Sequence, residues 1–198
     1  MPALVITGNM GGGKTEVMRL LSERLNTITF LADNENRRLL DKDPEVRKLI
    51  SSSLGPSCYL DGGVADRSRI FEIISADPLS RKTLEEILHP RLELLWKPLA
   101  EKYRRPNHDF FIAEIPLLFE EGLEGFFDLT LLVCCSEQTR KKRLQSSRSL
   151  TSTQINSWMG MQRPQEEKIK RADFMIWNDG PIETLASQID IIAKGLFN

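Results

Sequence analysis

The chain has 198 residues, 40% of them apolar, and a formal charge of −1. That length suits one domain, or one domain with a smaller insertion, and the near-zero charge argues against a nucleic-acid-coating or membrane-surface protein. No apolar run approaches the ~18 residues of a membrane span, and three cysteines (Cys58, Cys134, Cys135) supply neither a disulfide framework nor a C-x-x-C metal pair.

Ala3-Leu4-Val5-Ile6 is a short apolar run that predicts a buried strand. Because it begins at once, no secretory signal is expected, and the compartment is expected to be reducing and cytoplasmic. Gly8-Asn9-Met10-Gly11-Gly12-Gly13-Lys14-Thr15 then fits G-x-x-x-x-G-K-[ST], with Glu16 following. Four glycines between 8 and 13 let backbone N–H groups converge on a phosphate. Lys14 can reach the β- and γ-phosphates, and the Thr15 hydroxyl can hold Mg²⁺. Behind the loop, Val17, Leu20, Leu21 and Leu25 recur at helical spacing, which sets the phosphate on a helix N-terminus. The pattern arises by chance in roughly one chain of this length per hundred, and the flanking strand and helix make chance a poorer account.

Ile28 to Leu31 predicts a second strand, ending at Ala32-Asp33. Asp33 either accepts a proton from an acceptor hydroxyl or caps the following helix. Arg37–Leu40 and Val46–Leu54 read as helical, with Pro44 near the second start. Gly55-Pro56 and Gly62-Gly63 punctuate a loop that runs into Asp66-Arg67. From Pro78 to about Tyr103 comes a charged, amphipathic helical stretch, expected to break at His89-Pro90 and again at Pro98. Phe110–Ile115 is a third strand closed by Glu114, which is placed to bind Mg²⁺ through water, as acidic residues after strands do in many phosphate-loop proteins. Pro116 and Leu117 then shape an apolar wall, and Glu121 belongs to a solvated face. Leu129–Cys135 is a fourth strand, apolar enough for a sheet centre, with the two cysteines packed at its end.

Glu137 to Ser147 predicts a basic helix containing Arg140, Lys141, Lys142 and Arg143, with Arg148 just beyond. These cations either form a solvated face or close guanidinium groups over a nucleotide. Thr151–Met159 predicts a further helix with Thr151 as N-cap, Phe174–Trp177 a fifth strand and Ile182–Leu196 a closing helix. Asn178 follows the last strand, where its amide could read an adenine edge, buttress the loop or simply make a turn. The alternation predicts an α/β fold with a mainly parallel, five-stranded sheet in three layers. Residues 1–33 and 108–198 would form the core, with 34–107 as a helical subdomain.

Read in order, these segments resemble dephospho-CoA kinase nearly end to end. The phosphate loop, Ala32-Asp33, Gly63-Val64-Ala65-Asp66-Arg67, Leu84 to Pro90 and Ile115-Pro116-Leu117-Leu118-Phe119-Glu120 each match a family element. Gln162, Lys168, Ala172-Asp173 and Asn178-Asp179-Gly180 match its ending. Leu31 stands where the family has an Asp, and Ser147 where it has a lid arginine, a role Arg148, Arg140 or Arg143 would take. The resemblance implies ATP-dependent phosphorylation of the ribose 3′-hydroxyl of dephospho-CoA, with Asp33 as base. It places Arg67 and His89 on the acceptor side, Asn178 in the adenine pocket, a CoA-binding role on the helical subdomain and a mobile lid at about 138–165. ATP and Mg²⁺ are the expected cofactors of a monomer or weak homo-oligomer with no nucleic-acid or membrane partner. The alternatives are another small-molecule or nucleoside kinase of this architecture, or a nucleotide-binding regulator without turnover.

Overall fold

The computed structural model describes residues 3–104, 109–148 and 151–196, without the side chains of Ser147 and Arg148. In chain order the elements are β1 (Ala3–Thr7), α1 (Lys14–Ser22), β2 (Thr27–Leu31), α2 (Ala32–Lys42), α3 (Pro44–Ser53), α4 (Arg67–Ala76) and α5 (Pro78–Tyr103). They continue with β3 (Phe110–Glu114), β4 (Leu129–Cys134), α6 (Glu137–Arg148), α7 (Ser152–Gly160), α8 (Gln165–Ile169), β5 (Phe174–Trp177) and α9 (Ile182–Leu196). Among the described residues no helix is long and apolar enough to cross a membrane. The chain divides into two compact units, residues 1–30 with 98–198, and residues 31–97.

The first unit holds a five-stranded sheet in the order β2-β3-β1-β4-β5. β1 pairs in parallel with β3 and β4, and β4 with β5, with Ile6 opposite Glu114 and Leu131, and Cys134 opposite Trp177. All five residues of β1 are buried, because both of its faces are covered, as parallel sheets require. Leu4, Ile6, Ile112, Leu131, Val133 and Ile176 form one face, packed against Val17 and Leu21 of α1 and Leu185 and Ile189 of α9. Each such side chain stabilises the fold by about 1.5–3 kcal/mol of apolar burial. On the other face Phe111 stacks against Tyr103, ring centroids 6.0 Å apart. The sheet centre is therefore β1 and not β4, which puts the glycine-rich loop at the middle of the carboxyl edge.

The second unit is helical. Asp43 caps α3 by accepting from the Glu45 and Val46 amides, and Asp66 caps α4 by accepting from the Arg69 amide. Between them Tyr59 and Ala65 form an antiparallel bridge, and Asp41 accepts from the Ala65 amide at 3.2 Å. Burial pushes the Tyr59 phenol up to about 12, so it stays protonated here.

Two expectations need correcting. α5 is one unbroken helix through Pro90 and Pro98, because Leu84, Leu88, Leu92, Trp96 and Ala100 keep a buried i,i+4 stripe in register across both prolines. The Arg91 guanidinium also donates to the Ile87 carbonyl at 2.7 Å in the turn that Pro90 interrupts. α4 fills a stretch that the sequence reading left unassigned after Asp66-Arg67, and its buried Ile70 and Ile74 show the helical spacing. Finally, α2 starts directly after β2 with Leu31 at the N-cap and no side-chain cap, so Asp33 lies inside the first turn instead of capping it.

Candidate active site

The turn from β1 into α1 is fixed by what its carbonyls accept. The Lys14 ammonium, 9% exposed, donates to Gly8 O at 2.9 Å and Asn9 O at 3.3 Å. The Asn178 amide donates to Gly12 O at 2.8 Å. The Arg143 guanidinium donates to Gly12 O at 3.3 Å, to Gly11 O at 3.4 Å and to Asn178 O at 2.9 Å. With carbonyls of residues 8, 9, 11 and 12 turned toward protein donors, the loop is biased to present N–H groups elsewhere. Gly13, at φ +94°, is the N-cap of α1 and offers no side-chain cap, so the first helical amides are open to an anion. A Cβ on Gly13 would sit 2.3 Å from the Asn178 amide nitrogen, which is why only glycine fits.

β4 and α6 bring two arginines to this loop. The Arg140 backbone lies against Gly11, and its side chain is 8% exposed with Nε lacking a hydrogen-bond partner. A buried guanidinium with an unused donor is poised for an oxyanion. Arg148, the third expected lid cation, has its side chain outside the described residues. Thr15 Oγ1 donates to Glu114 Oε2 at 3.1 Å, with Glu114 5% exposed at the end of β3. Those two hard oxygen donors fit Mg²⁺, which takes few protein ligands and keeps several waters. Pro116 O accepts from Thr7 Oγ1 at 3.3 Å, and Leu117 follows half-buried, so both shape the wall beside the sheet edge. Met10 is a half-buried loop residue, and half-buried Glu16 pairs with Arg19 on α1.

The remaining expected residues belong to the helical unit. Asp33 is exposed in the first turn of α2. Arg67 opens α4 and ion-pairs with Asp41, and His89 is half-buried within α5. The unit grouping thus gathers Lys14, Thr15, Glu114, Arg140, Arg143 and Asn178 with the loop, and keeps Asp33, Arg67 and His89 on a separate body.

Sequence reasoning left several supports unassigned. Asp179 accepts from Ser136 N at 2.9 Å and Trp177 Nε1 at 3.0 Å, tying the end of β5 to the start of α6. Burial pushes its carboxyl up, but bonds from Ser136, Thr139 and Trp177 outweigh that and hold it below the usual range. Lys168 is wholly buried, its ammonium 2.7 Å from Glu120 Oε1 in an ion pair, and burial lowers its pKa. Burial drives Cys134, at the end of β4, up to about 12 and raises Cys135 as well, so both are inert packing thiols as expected. The Asp179–Ser136 and Glu120–Lys168 pairings join residues 43 or more apart in sequence, with no local signal to reveal them.

Comparison with known proteins agrees with this geometry. The family model for dephospho-CoA kinase matches residues 3–184. A dephospho-CoA kinase of Deinococcus radiodurans is 32% identical over 193 residues, covering 98% of this chain and 91% of its own length. A crystal structure from Thermus thermophilus superposes with a TM-score of 0.75 at 30% identity and covers 98% of both chains. A shikimate kinase from Acinetobacter baumannii, solved with shikimate, shares the fold at a TM-score of 0.57 and 14% identity, covering 100% of this chain and 93% of its own.

Proposed function

The chain belongs to the dephospho-CoA kinase family, and from that premise we propose how its residues carry out the last step of CoA biosynthesis, phosphorylation of the ribose 3′-hydroxyl of dephospho-CoA. ATP is the donor, and its triphosphate rests on the amides of the loop from Gly8 to Thr15 and the N-terminus of α1. Lys14 exchanges its bonds to Gly8 O and Asn9 O for the β- and γ-phosphates, and Arg140 and Arg143 neutralise charge spreading over the transferring oxygens. Thr15 and Glu114 would hold Mg²⁺, which supplies charge neutralisation across the phosphates. Asp33 accepts the proton of the 3′-hydroxyl as that oxygen attacks the γ-phosphorus, and ADP departs. Arg67 and His89 orient the acceptor, and Pro116 and Leu117 line its apolar side. A monomer or weak homo-oligomer acting in the cytoplasm, with the helical unit as the CoA-binding body, completes the reading.

The observation that carries it is the loop whose carbonyls are taken by Lys14, Arg143 and Asn178 beside a buried arginine with a spare donor. The direct test follows ADP and CoA by chromatography, with ATP, Mg²⁺ and dephospho-CoA supplied together. ADP release should require dephospho-CoA and match CoA formation one for one. Equal ADP release with water alone, or preferential phosphorylation of shikimate or a nucleoside, would overturn the acceptor assignment.

A further inference from the structure

Gln162 lies in the turn between α7 and α8, 152 residues from the phosphate loop, yet its side-chain carbonyl accepts from the Met10 amide at 2.9 Å. Met10 is the second residue of a tight turn closed by the Gly12 amide donating to Asn9 O at 3.1 Å. Gly11, the third residue of that turn, has φ +80°, the value a type II turn demands there. The Met10 N–H belongs to the Asn9–Met10 peptide that enters this turn, so an acceptor fixed on it holds that peptide, and with it the first corner of the turn, in one orientation. Gln162 thus acts on the loop from outside, through the backbone alone.

The turn carrying Gln162 is itself anchored. Glu120 Oε1 accepts from the Arg163 amide at 3.1 Å and ion-pairs with wholly buried Lys168 on α8. Gln165, also on α8, accepts from the Cys135 amide at 3.4 Å, fixing the other end of the same segment to the edge of β4. A buried charge held this way cannot be moved cheaply, so the turn is a stiff bracket.

We infer that Gln162 is a positioning residue for ATP, a bracket that holds the crest of the phosphate loop in its anion-receiving orientation and is itself braced by the Glu120–Lys168 pair. The inference rests on the proposed use of that loop as the ATP site. Gln162 is half-buried in the turn between two helices and is not among the buried core residues, so its replacement leaves the core untouched.

The experiment compares wild type with Gln162→Leu, which removes the acceptor, and Gln162→Glu, which restores an acceptor oxygen. Steady-state kinetics are read with each substrate varied in turn, alongside hydrogen exchange of the Met10 amide in ¹⁵N-methionine-labelled protein. Gln162→Leu should raise KM for ATP roughly tenfold, leave KM for dephospho-CoA within about twofold and speed Met10 exchange, as loss of one fixed hydrogen bond implies. Gln162→Glu should restore Met10 protection. Unchanged KM for ATP, equal rises in both KM values, or Met10 exchange indifferent to the substitution would overturn the inference. Failure of the broader reading would look different, since wild type itself would then show no ATP-dependent turnover.

Discussion

In the phosphate loop most polar side chains are committed before a ligand arrives: Lys14 and Arg143 rest on loop carbonyls and Thr15 donates to buried Glu114, while Arg140 keeps one donor spare. In the helical unit the charges assigned to the acceptor stay on the surface, with Asp33 exposed and the Arg67 side chain 47% exposed beside Asp41. Under the proposed roles, the difference follows from what each side would bind. A triphosphate presents a small, fixed array of oxygens, which a rigid backbone cradle can match in advance. A long acceptor with a ribose, a pyrophosphate and a flexible arm favours solvated side chains that adjust on contact. Losses on the phosphate side should therefore be large and spread to both binding and turnover, whereas losses on the acceptor side should separate by role.

Lys14→Ala is the strongest test of the committed side. It removes a buried cation that bonds two loop carbonyls, so kcat/KM should fall by roughly 10³-fold, with both ATP affinity and turnover impaired. Isothermal titration with a non-hydrolysable ATP analogue, beside steady-state rates, separates the two parts. Normal kinetics would mean that the loop does not carry the phosphate. Asp33→Asn comes next. The residue is exposed in the first turn of α2, so the amide should fold as well as the acid. Turnover should nevertheless drop by roughly 10²-fold or more while ATP affinity is kept. Unchanged turnover would remove the base assignment and, with it, the separation of roles on the acceptor side.

Gly13→Ala probes the packing that makes the loop rigid. The new Cβ would meet the Asn178 amide nitrogen at 2.3 Å and force a side chain into φ +94°. About 1–2 kcal/mol of strain corresponds to a roughly 5–30-fold rise in KM for ATP, together with a lower melting temperature. A variant with wild-type KM would show the Asn178 contact to be dispensable.

How much of this was legible in the sequence tracks the same division. The loop could be found because Gly8 through Thr15 are contiguous and flanked by β1 and α1, whose apolar spacing is plain. Of the roles open to Asn178, buttressing the loop takes the form of a hydrogen bond to Gly12 across 166 residues, a partner that spacing could not name. The bracket of Gln162, Glu120 and Lys168 is assembled in the same way, from partners far apart in the chain. The expected breaks in α5 applied the proline rule locally, while the stripe from Leu84 to Ala100 held the helix together through tertiary burial. α4 escaped notice because Gly62-Gly63 directs attention to a loop, although Asp66 supplies an N-cap and Ile70 and Ile74 supply the face.

Arg67→Ala sharpens the acceptor side with the smallest effect. Its ion pair with Asp41 joins two partly solvated side chains, so breaking it should cost no more than about 1 kcal/mol of stability. If the guanidinium exchanges Asp41 for an anionic group of the acceptor, a charge-assisted bond is lost, and KM for dephospho-CoA should rise about tenfold while KM for ATP stays put. Arg67→Lys should recover part of that, because the charge remains but the two-pronged geometry does not. A rise confined to the acceptor would establish that this unit reads the acceptor with side chains released from one another. Equal changes in both KM values would instead mean that Arg67 only holds Asp41 and the Ala65 loop in place, and that acceptor binding rests on other groups.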